Sequence, residues 1–298
     1  MDRHPPDGAC EGAGMIWRHA QGSLDCARGH LVGIVNVNPD SFSDEGAHAG
    51  ADRAVAHGVR LARQGASVIE VGGESLRFSD RTPVDVEIAR VVPVIDSLAR
   101  ALDVPVAIDT FKPAVAAAAI AAGASILNDP TGLCDPEMAR IAAEGGVGVV
   151  LTHFFGEPKV RPTSFPDVDV PSVVASWARE AIASAAAAGI PSQRVVVDPG
   201  IGLGKSPEQD LDLLHRLGEI CAVGRPVFVP ISNKKVIGAI TGMSAKQRLA
   251  GTAASLALCR AQGATLFRVH NVKFLARALA MSEAVVTGHA ERWFDVVK

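Results

Sequence analysis

The chain has 298 residues, 48% of them hydrophobic and 20% charged, enough for one large α/β domain with a substantial core or two small ones. A net charge of -3 with 4% aromatics and no tyrosine leaves neither a basic surface nor stacking side chains for nucleic acid, and none is expected as a partner. Cys10, Cys26, Cys134, Cys221 and Cys259 are dispersed without a CxxC pair, which argues against a disulfide framework and a zinc site and for reduced thiols.

The opening residues, MDRHPPDGACEGAG, carry no apolar signal core, and residues 1–30 read as an N-terminal extension without periodicity. From Leu31 to the end, 31–298, the pattern is that of a single domain. Short runs rich in Val and Ile alternate with amphipathic stretches: LVGIVNV from Leu31, SVIEVG from Ser67, VPVAID from Val104, SILND from Ser125. VGVVLTH from Val147, RVVVD from Arg194, PVFVPIS from Pro226 and TLFRVH from Thr265 complete the series. Such runs suit parallel strands buried on both faces, and none is long enough to span a bilayer. The expected location is the cytoplasm.

Between the runs lie helix-length segments: Ala51–Gln64, Val84–Leu102, Lys112–Ala122, Pro136–Glu144, Val170–Ala188, Pro207–Leu217, Ser244–Gln262 and Val272–Val286. Glycines at 65, 123, 145, 189, 218 and 263 stand where helices end. Eight strand–helix units of roughly 33 residues predict a (β/α)8 TIM barrel, a fold of about 250 residues. An open doubly wound sheet also alternates strand and helix, but no GxGxxG opens the first helix here.

Each run ends in groups able to bind or do chemistry: Asn36, Glu70, Asp109, Asn128, His153, Asp198, Ser232 with Lys234, and Arg268 with His270. In a barrel these ends converge on one rim. Asn36, Arg268 and His270 belong to strands that are neighbours in a closed barrel. An amide oxygen able to hold a metal beside two cations suits a phosphate or diphosphate, with the N-terminus of the last helix nearby. Alternatively, Arg268 pairs with Glu70 or Glu74. Asp109, Asn128, Asp198 and Lys234 offer the donors and acceptors that a flat heterocycle such as a pterin requires. The same groups could equally form an ion-pair network of Asp109, Asp198 and Lys234. Two glycine-rich segments, Gly72-Gly73-Glu74 and PGIGLGK from Pro199, flank them, and NPDSFSDEG from Asn38 forms a long polar loop that reads as a lid or an ordinary connection.

Taken in order, NVNPDSFSDEG, EVGGES, IDTFK, ILND, DPGIGLGK, SNKK and RVHN resemble the successive motifs of dihydropteroate synthases, from Leu31 to about Ala290. The resemblance implies a pterin-binding TIM barrel, usually homodimeric. Such enzymes join 6-hydroxymethyl-dihydropterin diphosphate to p-aminobenzoate with Mg2+ and release diphosphate. It implies Asp109, Asn128, Asp198 and Lys234 as pterin ligands, with Lys234, Asp109 and Asp198 the catalytic groups. Asn36, Arg268 and His270 become the diphosphate site, Asn36 also the metal ligand. No side-chain nucleophile is implied, since a pterin-methyl cation forms as diphosphate leaves.

The chain departs from that pattern around both substrates. In the second-substrate pocket, Leu76, Arg77 and Phe78 stand in GGESLRF where the pattern is GGESTRP. Asn233 and Lys235 stand in SNKK where it is SRKS, and Leu203 stands in GLGK where it is GFGK. Asn233 lacks the planar guanidinium of arginine. Pro130, Pro230, Thr152, Phe154, Glu70 and Asn271 also depart, and each proline removes an N–H and fixes φ. With these changes the chain resembles a divergent second-copy paralogue, weak or inactive in the condensation and retaining some pterin, diphosphate or sulfonamide binding. The alternatives are a working synthase of folate biosynthesis and another pterin-binding barrel such as a folate-dependent methyltransferase.

Overall fold

The computed structural model describes residues 15–37, 46–74, 81–160 and 165–290. Its main sheet has eight parallel strands: β3 (His30–Asn36), β4 (Val68–Gly72), β5 (Val106–Asp109), β6 (Ile126–Asp129), β7 (Gly148–Thr152), β8 (Val195–Asp198), β9 (Phe228–Val229) and β10 (Leu266–Val269). From β3 to β8 each pairs with the next, β10 pairs with both β3 and β9, and the isolated bridge Val197–Val227 links β8 to the β9 segment. The sheet is thus a nearly closed TIM barrel. Strand β9 is shortened because Pro226 and Pro230, which lack the N–H a ladder needs, bracket it.

Helices α1 (Gly46–Arg63), α2 (Val84–Ala101), α3 (Pro113–Ala121), α4 (Pro136–Gly145) and α5 (Val170–Ala187) follow the strands in turn. Then come α6 (Pro207–His215), α7 (Leu217–Cys221), α8 (Lys235–Thr241), α9 (Leu249–Ala261) and α10 (Val272–Thr287). Their starts follow local chemistry. Asp135 caps α4 by accepting from the Glu137 amide, and Ser206 with Gln209 forms a reciprocal capping box on α6, each with proline in the first turn. The expected helix over 207–217 divides at Arg216, and the one beginning at Ser244 is preceded by the separate α8.

Period-2 alternation divides the strand residues. Leu31, Val35, Ile69, Val71, Ile108, Leu127, Val149, Leu151, Val197 and Phe267 join the layer shared with the helices. Val32, Val68, Ala107, Ile126, Val150, Val196, Phe228 and Leu266 form a second apolar cluster in the lumen.

That lumen cluster includes Trp17 and Cys26, so part of the expected N-terminal extension packs into the barrel. An antiparallel hairpin, β1 (Ile16–His19) with β2 (Gly22–Asp25), closes the lower mouth of the barrel. Trp17 is 1% exposed, and its indole N–H donates to the Arg194 carbonyl at 2.9 Å. His30 fastens the hairpin's exit, its ring bonding Ser67 Oγ at 3.0 Å and the Asp25 carbonyl at 2.8 Å.

Candidate functional site

Farther along the same strands the lumen becomes polar. The pairing register sets Gly72, Asp109 and Asn128 side by side, and Thr152 beside Asp198. Glu70 and Arg268 belong to the same inward-facing set, at alternate positions from Gly72 and His270. The sequence-predicted residues Asp109, Asn128, Asp198 and Arg268 therefore share one space. Thr152, noted above only as a departure from the family pattern, joins them.

The connections are specific. Arg268 Nε pairs with Glu70 Oε1, and Arg268 Nη2 pairs with Asp109 Oδ2 at 2.7 Å. Glu70 Oε2 accepts from Asn128 Nδ2 at 2.9 Å. The Thr152 hydroxyl lies 3.4 Å from Asn128 Oδ1 and 3.5 Å from Asp198 Oδ2. Of the two partners considered for Arg268, Glu70 is the one engaged. The alternative network of Asp109, Asp198 and Lys234 is present only as longer-range attraction: Asp109 pairs with Arg268, while Lys234 Nζ donates to the Ile201 carbonyl at 2.6 Å.

Burial sets the electrostatics of this space. It pushes Asp109 up to about 7 against the pull of Arg268, and Asp198 up to about 6 despite the Gly200 amide and Lys234. Burial also lowers Lys234 from the ordinary lysine value, with Asp198 opposing it. Near neutral pH Asp109 therefore lies at its titration point, with Asp198 somewhat below it.

The loop 199–205 carries Lys234's acceptor and is itself fixed from below. Lys205 is buried, and its Nζ donates to the carbonyls of Gly200 at 3.0 Å, His153 at 3.3 Å and Leu203 at 3.3 Å. Asp210 accepts from the Gly202 amide at 2.8 Å. Gly200, at φ 71°, has no room for a side chain because a Cβ would overlap the His153 carbonyl. Burial brings Lys205 down to about 8 against the attraction of Asp210. Lys205 was legible only as the end of a glycine-rich motif, and its inward direction depends on a carbonyl cage from two separate loops. His153, singled out at a strand exit, packs edge-on against Phe155 and Trp177 and has a structural place instead. Burial drops it to about 3.

At the rim, Asn36 ends β3, with its amide oxygen and Asp109 both close to Gly72. His270 precedes α10, and its ring bonds Ser232 Oγ at 2.9 Å. Asn271 caps α10, its side-chain oxygen accepting from the Phe274 backbone N–H at 3.1 Å, so this departure from the family pattern serves the helix. Asn233 adopts the left-handed region at φ 58°, which asparagine tolerates, with its amide on Thr252 Oγ1 and its carbonyl on Arg248. Lys235 is exposed in the first turn of α8, and Leu203 is half-buried. Leu76, Arg77 and Phe78, and nearly all of the loop from Asn38, lie outside the described residues.

A second polar assembly braces the rim. Lys112 pairs with Glu74 and Glu87 at 2.6 Å each, Lys159 reaches Glu74 at 2.9 Å, and Thr110 donates to Glu87 at 3.1 Å. These bonds tie the ends of β4, β5 and the β7 loop together. The IDTFK and GGES motifs contain Lys112 and Glu74, but their mutual pairing joins distant segments.

Among the described residues, no group of three or more His, Cys, Asp or Glu could hold a metal ion. Asn36 offers one amide oxygen, a donor suited to a magnesium ion that arrives on phosphate oxygens and keeps its waters.

Comparison with known proteins agrees with this geometry. Residues 32–270 match the family described as "Pterin binding enzyme". The chain is 37% identical over 278 residues to the dihydropteroate synthase of Escherichia coli K12, covering 93% of this chain and 99% of that one. It is 40% identical over 266 residues to "Inactive dihydropteroate synthase 2" of Mycobacterium tuberculosis, covering 87% of this chain and 83% of that one. The structure of Xanthomonas albilineans dihydropteroate synthase with 4-aminobenzoic acid superposes with a TM-score of 0.85 at 41% identity, covering 92% of this chain and 98% of the other. From its lumen residues, its strand order and these relatives together, the chain belongs to the dihydropteroate synthase family of pterin-binding barrels.

Proposed function

We propose that this chain binds a dihydropterin diphosphate in the upper lumen and condenses it with p-aminobenzoate weakly or not at all. The observation that carries the binding half is the convergence of Asp109, Asn128, Asp198 and Arg268 on one space, with Lys234 anchored beside it through Ile201. Asp109, Asn128 and Asp198 would meet the polar edge of the pterin, while Arg268 and His270 would hold the diphosphate. The pterin C–O bond then breaks with its electron pair leaving on diphosphate. The two carboxylates oppose the positive charge left on the methylene carbon. Magnesium, with Asn36 as its protein ligand, would neutralise part of the leaving group's charge. The amine of the second substrate would attack the methylene carbon and then shed its proton.

The weakness is proposed for the second step. Asn233 occupies a left-handed turn, and Lys235 sits exposed in the turn that follows. Neither supplies a planar cation against an aromatic carboxylate. A reacting pair misplaced by about 1 Å loses roughly a hundredfold in rate. Similarity to a protein called inactive supports this reading, and similarity to the Escherichia coli enzyme supports the working alternative.

A homodimer is proposed from the resemblance, and Leu258 of α9 with Met281 and Val285 of α10 expose apolar surface that would suit it. A cytoplasmic location is likewise a proposal. No described helix is long and apolar enough to cross a membrane, and the described cysteines form no disulfide.

Growth of a synthase-deficient host expressing the soluble chain tests the activity claim. No rescue is expected, and growth equal to that given by the Escherichia coli enzyme would establish the working alternative.

A further inference from the structure

Glu70 is a buried carboxylate, 1% exposed, for which the proposed reaction has no step. Both of its oxygens are nevertheless committed to groups of the site. Oε1 holds Arg268 Nε, and Oε2 holds Asn128 Nδ2 at 2.9 Å. Arg268 is the proposed diphosphate cation and Asn128 the proposed pterin amide. One carboxylate thus spans the two subsites.

A buried carboxylate must keep a donor, because leaving it bare costs far more than exchanging one donor for another. An anion that draws Arg268 toward the rim weakens the guanidinium's hold on Glu70. A heterocycle that pulls the Asn128 amide toward itself through the second N–H loosens the other donor. Either ligand alone leaves one firm bond to the carboxylate; both together weaken both of its bonds. Arg268 retains Asp109 in each case, so the guanidinium itself stays paired.

We infer that Glu70 is a positioning residue that sets the two subsites against each other: occupancy of one weakens binding at the other, and a ligand carrying both parts gains less than their sum. The inference rests on the assignment of pterin and diphosphate sites above. Linkage requires the antagonism to be equal in both directions.

Two variants separate the arms. Glu70→Asp keeps the charge but falls one methylene short of spanning both donors. Glu70→Gln keeps the length, and an acceptor for Asn128, while releasing the charged hold on Arg268. Thermal melts establish that each variant is folded; either one alone suffices for the test. Calorimetry then measures inorganic diphosphate and a pterin without diphosphate, each alone and in the presence of the other, without magnesium.

In the parent chain, saturating diphosphate is expected to weaken pterin binding at least about fivefold, the lower end of ordinary coupling between sites. In Glu70→Asp the effect should fall below about twofold. In Glu70→Gln, diphosphate alone should bind at least about fivefold tighter, with pterin affinity little changed. Equal diphosphate affinity in parent and variants overturns the inference, as does antagonism that persists unchanged in Glu70→Asp. Absence of pterin binding in every chain would overturn the functional assignment above, and the diphosphate measurement alone would then decide whether Glu70 restrains Arg268.

Discussion

The two ends of the barrel lumen are lined by alternate residues of the same strands, yet they hold opposite materials. At the lower end Val32, Val68, Ile126, Val150, Val196, Phe228 and Leu266 enclose Trp17 of the hairpin. One inward position farther along, β4 presents Glu70, β6 Asn128, β7 Thr152, β8 Asp198 and β10 Arg268. The lower end removes apolar area from water, at about 25 cal/mol per Å2. The upper end buries charges that destabilise unless paired. The contrast teaches a division of labour: an apolar plug stabilises a barrel whose other mouth is left polar.

Breaking the plug should give the largest effect. Trp17→Ala empties a fully buried site and removes the donor to the Arg194 carbonyl, with an expected loss of about 3–5 kcal/mol in urea unfolding. Below the melting transition, pterin affinity should stay within about twofold of the parent, because no described bond of the upper site involves Trp17. A comparable loss of affinity at full folding would show that the two ends are not independent.

The pH dependence of stability sharpens the same comparison with a smaller effect. Asp109 and Asp198 rise to about 7 and about 6 from an unfolded value near 4. Their contribution is therefore fully present below about pH 4 and is lost as pH rises through 6 to 7. His19 of the hairpin is brought down by burial, and by Arg194, to about 4. Its contribution is present above about pH 6.5 and is lost as pH falls toward 4. The two ends thus pull stability in opposite directions across one window. Asp198→Asn should remove on the order of 1–3 kcal/mol of the loss seen on raising pH from 4 to 7, and His19→Gln should flatten the loss seen on lowering it. Urea midpoints at several pH values check both slopes; unchanged slopes would contradict the assigned burial.

The sequence carried the repeat and the rim. Val/Ile runs and helix-end glycines located all eight units, with most helix ends within a residue or two, because those signals are local. Asp109, Asn128, Asp198 and Arg268 were recognisable because inward polar residues interrupt buried strands. The hairpin was not, since its strands of four residues offer little beyond Trp17 against Arg18, His19, Ser23 and Asp25. Only burial against the lumen gives it structure. Partner choice was only partly legible. Glu70 and Glu74 were both candidates for Arg268, nothing local decides between them across 198 positions, and Lys205 turns inward only because Gly200, Leu203 and His153 bring three carbonyls together. Such contacts follow from closure of the barrel, and no local pattern records them.

Calorimetric titration with dihydropterin diphosphate and magnesium, followed by p-aminobenzoate with product assayed in the same samples, tests the central claim most directly. The account predicts measurable pterin binding that Lys234→Ala weakens, with turnover more than tenfold below a typical enzyme rate of ~10 per second. Turnover within tenfold of that rate would contradict it.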